Sequence, residues 1–154
     1  SDRGNTAIGG SSMGGLMALL AILVLVFLRM PLRRAYSDYN GIMKGIVDEV
    51  DSLGWLENTV FISFSHDNMV ELRKLLPDAK LMFLTTHAPN QELVNMLLPY
   101  RLDLDIAWTV LTREGVELMH ANGIEVNVWN VDEVELAERL LSWGVDYLTT
   151  DILE

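Results

Sequence analysis

The rhythm of residues 36–154 constrains this chain more than any other feature. Short β-rich runs alternate with amphipathic, acid-rich stretches. Strands are predicted at Val60–Phe64, Leu81–Leu84, Leu104–Trp108, Glu125–Trp129 and Tyr147–Thr150, and Ile22–Phe27 is a candidate for one more. Helices are predicted at Tyr39–Leu53, Met69–Leu76, Gln91–Leu98, Arg113–Asn122 and Val134–Trp143. Gly54, Pro77, Gly123 and Gly144 stand where helices must stop. Asp67 or Asn68, Asn90, Thr112 and Asp132 stand where a side-chain oxygen can accept from the first free amides. The segment Val70–Thr86 aligns without gaps on Val134–Thr150, an offset of 64 residues, or three βα units of about 21. Repeated βα units imply right-handed crossovers and a parallel sheet. Units this short and even suit a (β/α) barrel better than a Rossmann sheet, and no glycine-rich dinucleotide fingerprint follows any strand. The expected fold class is therefore α/β, a partial (β/α) barrel of five or six units.

Composition narrows the chemistry. The 154 residues contain no cysteine, so disulfides, thiolate metal sites and cysteine nucleophiles are excluded. Half of them are apolar, enough for a buried core. The net charge of −11 argues against nucleic-acid binding, which needs a basic face to neutralise phosphates. That charge is uneven. Residues 1–35 carry four arginines and one aspartate, whereas residues 36–154 carry seven basic and 21 acidic side chains. The chain thus divides into an apolar amino-terminal segment, 1–35, and a βα domain, 36–154.

From Gly4 to Leu28 the first segment has no charge, and Arg29, Arg33 and Arg34 follow. A helix over residues 9–28 would reach about 30 Å, enough to cross a bilayer with the arginines on the cytoplasmic side. A cleaved signal peptide fits less well, since no basic region precedes the apolar run. Two soluble readings also stand: a buried helix and strand, or a helix that pairs with a second chain through Gly14, Gly15, Ala18 and Ala21. The expected location is cytoplasmic, or membrane-anchored if residues 9–28 insert. Gly10-Ser11-Ser12-Met13-Gly14 fits the G-x-S-x-G turn that exposes a nucleophilic serine between strand and helix. Residues 2–18 around it resemble the nucleophile segment of α/β-hydrolase esterases. That resemblance carries the nucleophile role onto Ser12 alone, with a plain glycine-rich turn as the bland alternative.

Two later stretches are more specific: Phe61-Ile-Ser-Phe-Ser-His-Asp-Asn-Met-Val-Glu-Leu-Arg-Lys-Leu-Leu-Pro77, and Val126-Asn-Val-Trp-Asn-Val-Asp-Glu133 through Gly144-Val-Asp-Tyr-Leu-Thr-Thr-Asp151. Over about residues 37–154 the chain resembles the later part of the glycerophosphodiester phosphodiesterase family. The resemblance implies a TIM barrel that hydrolyses glycerophosphodiesters with a divalent metal (Zn, Mg, Mn or Ca) and a histidine pair. The family's early His-Arg-Gly strand, Glu-x-Asp metal motif and second catalytic histidine have no counterpart in this sequence. Val26-Phe-Leu-Arg-Met30 occupies the place of a carboxylate strand of the Ile-Glu-x-Lys type. Of the family's pocket residues only Trp129 is matched. The chain reads as an incomplete barrel behind an esterase-like piece, a chimera or a truncated gene product.

In parallel βα folds the working groups sit at the carboxyl ends of the strands. His66 and Asp67, His87, Trp108, Trp129 with Asn130, and Asp151 all fall there. His66, Asp67, His87 and Asp151 are therefore the candidate metal ligands, with His66, His87 and Asp151 as the catalytic set. Trp108, Trp129 and Asn130 are expected to bind substrate. A metal held there would polarise a phosphoryl oxygen and acidify a bound water, and a neutral histidine would serve as base near pH 7. The bland alternatives are a capping turn at His66-Asp67-Asn68 and a loop position for His87. His120 reads as a surface histidine near a helix carboxyl end. The expected activity is metal-assisted hydrolysis of a small phosphoric ester. A non-catalytic scaffold that self-associates, or attaches to membrane through residues 9–28, is the alternative. Five or six strands leave apolar edges, so a homodimer is expected.

Overall fold

The computed structural model describes residues 39–152. Ser12, the apolar run 9–28 and the candidate strand Ile22–Phe27 lie outside them. Helix α1 (Tyr39–Ser52) leads through a short 3₁₀ turn into β1 (Phe61–Ser63). Four further units follow: α2 (His66–Leu75) and β2 (Leu81–Thr85), α3 (Gln91–Leu97) and β3 (Asp103–Ala107), α4 (Arg113–Ala121) and β4 (Val126–Trp129), α5 (Val134–Ser142) and β5 (Tyr147–Leu148). The strands lie side by side in chain order, and every pair is parallel. A sheet wound in one direction keeps all its crossovers on one face, because each crossover has the same hand. This is the winding of a barrel. A doubly wound sheet reverses its strand order.

The two faces differ accordingly. Phe61, Leu81, Leu104, Ile106, Val126, Val128 and Leu148 point outward and share one core with Met69 and Leu72 of α2, Val94 and Leu97 of α3, Val116 and Met119 of α4, and Leu140 of α5. The alternate residues Val60, Ile62, Met82 and Leu84 form a second, inner cluster with Trp129 and Tyr147, and among the described residues no helical one belongs to it. Period-2 alternation along each strand produces this split.

Local chemistry sets most boundaries as expected. Asn90 and Thr112 cap α3 and α4 by accepting from the amides of Leu93 and Gly115. Gly123 and Gly144 take the left-handed conformation (φ 71° and 87°) just past α4 and α5. Two caps differ from expectation. Helix α2 starts at His66, a turn earlier than expected, because the Ser65 hydroxyl accepts from the Asn68 amide. Helix α5 has Glu133 at its cap position with no side-chain bond. The Asp132 carboxylate is engaged elsewhere, accepting from the Thr150 hydroxyl and the Asp151 amide. The last strand is shorter than expected, at two residues.

At the amino end of the sheet, one guanidinium ties two loops together. Arg73 donates from Nε to the Tyr100 carbonyl (2.8 Å), from Nη1 to Pro77 (2.9 Å) and Ala79 (2.8 Å), and from Nη2 to Arg101 (2.8 Å). Arg101 sits at φ 50° and returns a bond from its own Nη2 to Pro77. The planar fork reaches carbonyls that a lysine ammonium cannot reach together. Arg73→Lys is expected to lower unfolding free energy by about 2–3 kcal/mol, since carbonyls that accept from a charged donor lose it. Urea unfolding of the two proteins measures this, and an unchanged midpoint would contradict the clamp.

Candidate functional site

The carboxyl rim is shaped by the curl of the sheet. Phe64 follows β1 and Trp129 ends β4, so they stand three strands apart in the order. In a flat sheet that separation is about 14 Å. Their ring centroids lie 6.0 Å apart, edge to face at 89°. The two side chains meet over the inner face because the sheet bends toward it. Trp129 therefore forms a wall of the concavity, with its indole Nε1 buried and without a partner among the described residues. Phe64 remains 61% exposed at the lip. Trp108 opens the turn after β3 and is 39% exposed.

Beside Trp129, Asn130 donates from Nδ2 to Asp151 Oδ2 at 2.6 Å, joining the ends of β4 and β5. The Asp151 amide donates to Asp132, which also holds the Thr150 hydroxyl. These bonds fix the turn after β5 against the loop before α5. Sequence reading selected Trp129, Asn130 and Asp151, and the structure brings these three to one part of the rim.

The histidines are placed differently. His66 turns toward the helical layer, where its Nε2 lies 3.2 Å from the Met96 carbonyl and its ring packs edge-on against Tyr100 and Phe83. Phe83 packs on the outer core, so this imidazole is on the opposite face from the Trp129 wall. His87 is exposed after β2, with Nδ1 and its backbone amide both directed at the Thr85 hydroxyl. Asp67 is exposed in the first turn of α2. Thus His66, Asp67, His87 and Asp151 do not converge, and among the described residues no three His, Asp or Glu side chains are grouped as metal ligands. The donor set among the described residues does not fit the divalent metal that the resemblance implies. His120 binds Asp146 at 2.8 Å at the amino end of the sheet, the end opposite the rim.

Two inner-face features escaped sequence reading. One layer below the rim, Asn127 donates to Asp105 (2.6 Å) and to the Thr149 hydroxyl (3.0 Å), crossing β3, β4 and β5. Asn127 is 0% and Asp105 2% exposed. At the amino end, Lys80 binds Glu125 and, at 3.2 Å, Asp103, while the Tyr147 hydroxyl donates to Glu125. Burial, joined by the bond to Glu125, pushes the Tyr147 phenol up to about 12. The signal for both features was present in Leu102-Asp-Leu-Asp-Ile106, where two acids alternate with apolar residues and so must share a face.

A parallel βα sheet wound in one direction, curled toward an aromatic wall at its carboxyl rim, defines the class as a partial (β/α) barrel. The comparisons narrow it. Residues 26–154 match the model of the glycerophosphoryl diester phosphodiesterase family. The chain belongs to that family. It is 26% identical over 113 residues to a glycerophosphodiester phosphodiesterase of Caldanaerobacter subterraneus subsp. tengcongensis, covering 73% of this chain and 46% of that one. A glycerophosphodiester phosphodiesterase structure from Parabacteroides distasonis superimposes with a TM-score of 0.64 at 27% identity, over 73% of this chain and 47% of that one. An Oleispira antarctica phosphodiesterase, solved with sn-glycerol-3-phosphate, gives a TM-score of 0.55 at 23% identity, over 60% and 38%. The chain therefore spans less than half the length of each of these relatives.

Burial pushes the Asp105 carboxyl up to about 8, against the smaller opposing effect of the Asn127 bond. The folded state then holds a proton that the unfolded chain releases near pH 4. Stability contributed by this site is full below pH 4 and falls as pH rises toward 8, by up to about 1.4 kcal/mol per pH unit. Asp105→Asn keeps an acceptor for Asn127 and removes the proton. The variant is expected to gain stability over the parent between pH 5 and pH 8. Urea unfolding at pH 5, 7 and 9 measures the difference, and parallel curves would contradict the buried proton.

Proposed function

We propose that this chain supplies the later-strand half of a glycerophosphodiester phosphodiesterase site, with the Trp129 wall and the Asn130–Asp151 pair as its substrate-binding part. The membership over residues 26–154 carries this reading. The rim geometry supports it. The indole and Phe64 offer an apolar wall for the carbon skeleton of a glycerol moiety. Asn130 and Asp151 offer an amide and a carboxylate oxygen for its hydroxyls. His87, exposed at the end of β2, is the imidazole of this rim that can exchange a proton with an ester oxygen. His66 has a structural part, bonded to the Met96 carbonyl.

Titration with diglyceryl phosphate, followed by ¹H–¹⁵N spectra, tests this reading. The Trp129 indole and the amides of Phe64, Asn130 and Asp151 are expected to shift, while those of Lys80, Glu125 and Asp146 at the opposite end stay in place. Trp129→Ala is expected to weaken binding about tenfold, the loss of roughly 1.4 kcal/mol of aromatic contact. Shifts confined to the amino end, or none, would overturn the assignment.

A further inference from the structure

A buried acid lies beneath the rim, and the binding groups stand directly above the residues it touches. We infer that Asn127 is the positioning residue of the rim and that Asp105 is its switch; this rests on the phosphodiesterase reading above. With the Asp105 carboxyl uncharged, Asn127 ties β3, β4 and β5 together and holds Trp129 and Asp151 in place for substrate. Side chains return to the same face of a strand every second residue. Asn127 is therefore one step below Trp129 on β4, and Thr149, just past β5, is one step below Asp151.

The Asn127 carboxamide has two N–H protons, and its nitrogen serves two acceptors on two neighbouring strands: Asp105 Oδ1 at 2.6 Å and the Thr149 hydroxyl at 3.0 Å. Two backbone bonds continue the same join above it. The Thr149 amide donates to the Val128 carbonyl and the Val131 amide to the Thr149 carbonyl, both at 2.8 Å. The side-chain tie and these bonds together set the end of β4 against the end of β5, where Trp129, Asn130 and Asp151 emerge.

The tie depends on charge. Asp105 has Leu84 of β2 beside it on one side and Asn127, then Tyr147, on the other. The titratable groups of this face are Lys80 before β2, Asp103 on β3, Glu125 before β4 and Tyr147 on β5, with Asp151 above. Lys80 is bound to Asp103 and Glu125, the Tyr147 hydroxyl donates to Glu125, and Asp151 accepts from Asn130. The core-forming helices pack on the opposite face. Among the described residues no ion pair includes Asp105. Ionising it places a lone charge in a buried layer. A carboxylate is also roughly twice as strong an acceptor as a neutral group. It draws the Asn127 amide to itself, and the arm to Thr149 gives way, because β5 is only two residues long.

The test is a set of ¹H–¹⁵N spectra of the whole chain between pH 7 and pH 9.5. The Trp129 indole and the Asp151 amide are expected to shift together with a midpoint near 8, the value to which burial pushes the Asp105 carboxyl, while the amides of α3 stay in place. Asp105→Asn keeps the acceptor and cannot ionise, so this transition is expected to vanish. Affinity for diglyceryl phosphate is expected to fall about fivefold across the range in the parent and to stay level in Asp105→Asn, because proton and ligand act on each other reciprocally. A purely structural Asp105 would move the unfolding midpoint and leave these two pH profiles alone. Thr149→Val cuts only the β5 arm and is expected to bind at pH 7 as weakly as the parent does at pH 9.5. Rim resonances that hold still over the range, or that titrate equally in Asp105→Asn, overturn the inference. So does binding that ignores pH while those resonances move. If the rim follows Asp105 and diglyceryl phosphate binds at no pH, the tie is upheld and the phosphodiesterase reading is overturned instead.

Discussion

The curl of the sheet is the constraint on which the rest depends. Parallel strands joined by crossovers of one hand place every helix on the same side. The outer face is then covered, and the inner face has to find cover by bending on itself. The contact between Phe64 and Trp129 is the direct expression of that bend, because it joins strand ends that a flat sheet would hold far apart. The same bend gathers Val60, Ile62, Met82 and Leu84 with Trp129 and Tyr147 into a second core. The wall that lines the rim and the cluster that fills the interior are thus one structure seen at two depths.

The two ends of the sheet are built from different chemistry. At the amino end, Lys80 is held by Glu125 and Asp103, with its ammonium 5.1 Å from the centre of the Tyr147 ring. The lysine keeps its charge despite burial, because its bond to Glu125 and the charge of Asp103 outweigh desolvation. Nearby, Arg73 gathers the carbonyls of two loops. At the carboxyl end the polar groups bond in pairs and leave aromatic surface at the lip. Rigid ionic ties at one end and adaptable groups at the other are the arrangement expected where scaffold and site share a barrel.

Much of this architecture was legible in the sequence, for physical reasons that differ by element. The strands and helices of residues 39–152 follow from periodicity, and the caps at Asn90 and Thr112 follow from a short polar side chain placed before an apolar face. Asp132 satisfied the same rule and was drawn away by Thr150 and the Asp151 amide, partners 18 and 19 residues distant that no local rule can see. The rim positions of Trp129, Asn130 and Asp151 were legible because strand ends locate them. The direction of His66 was not, because it depends on a carbonyl from α3 and on Phe83 and Tyr100, which close around the ring only in three dimensions. The proton on Asp105 was also hidden, although its alternation with Leu104 and Ile106 placed it on the inner face.

The Arg73 clamp bears on how such barrels exchange parts. One side chain from α2 holds backbone atoms of the segment leading into β2 and of the turn leading into β3. These consecutive units share a fastening, so a recombination breakpoint between them leaves an arginine without acceptors or carbonyls without a donor. Genes that shuffle pieces of this scaffold would therefore inherit α2 through β3, residues 66–107, as one block.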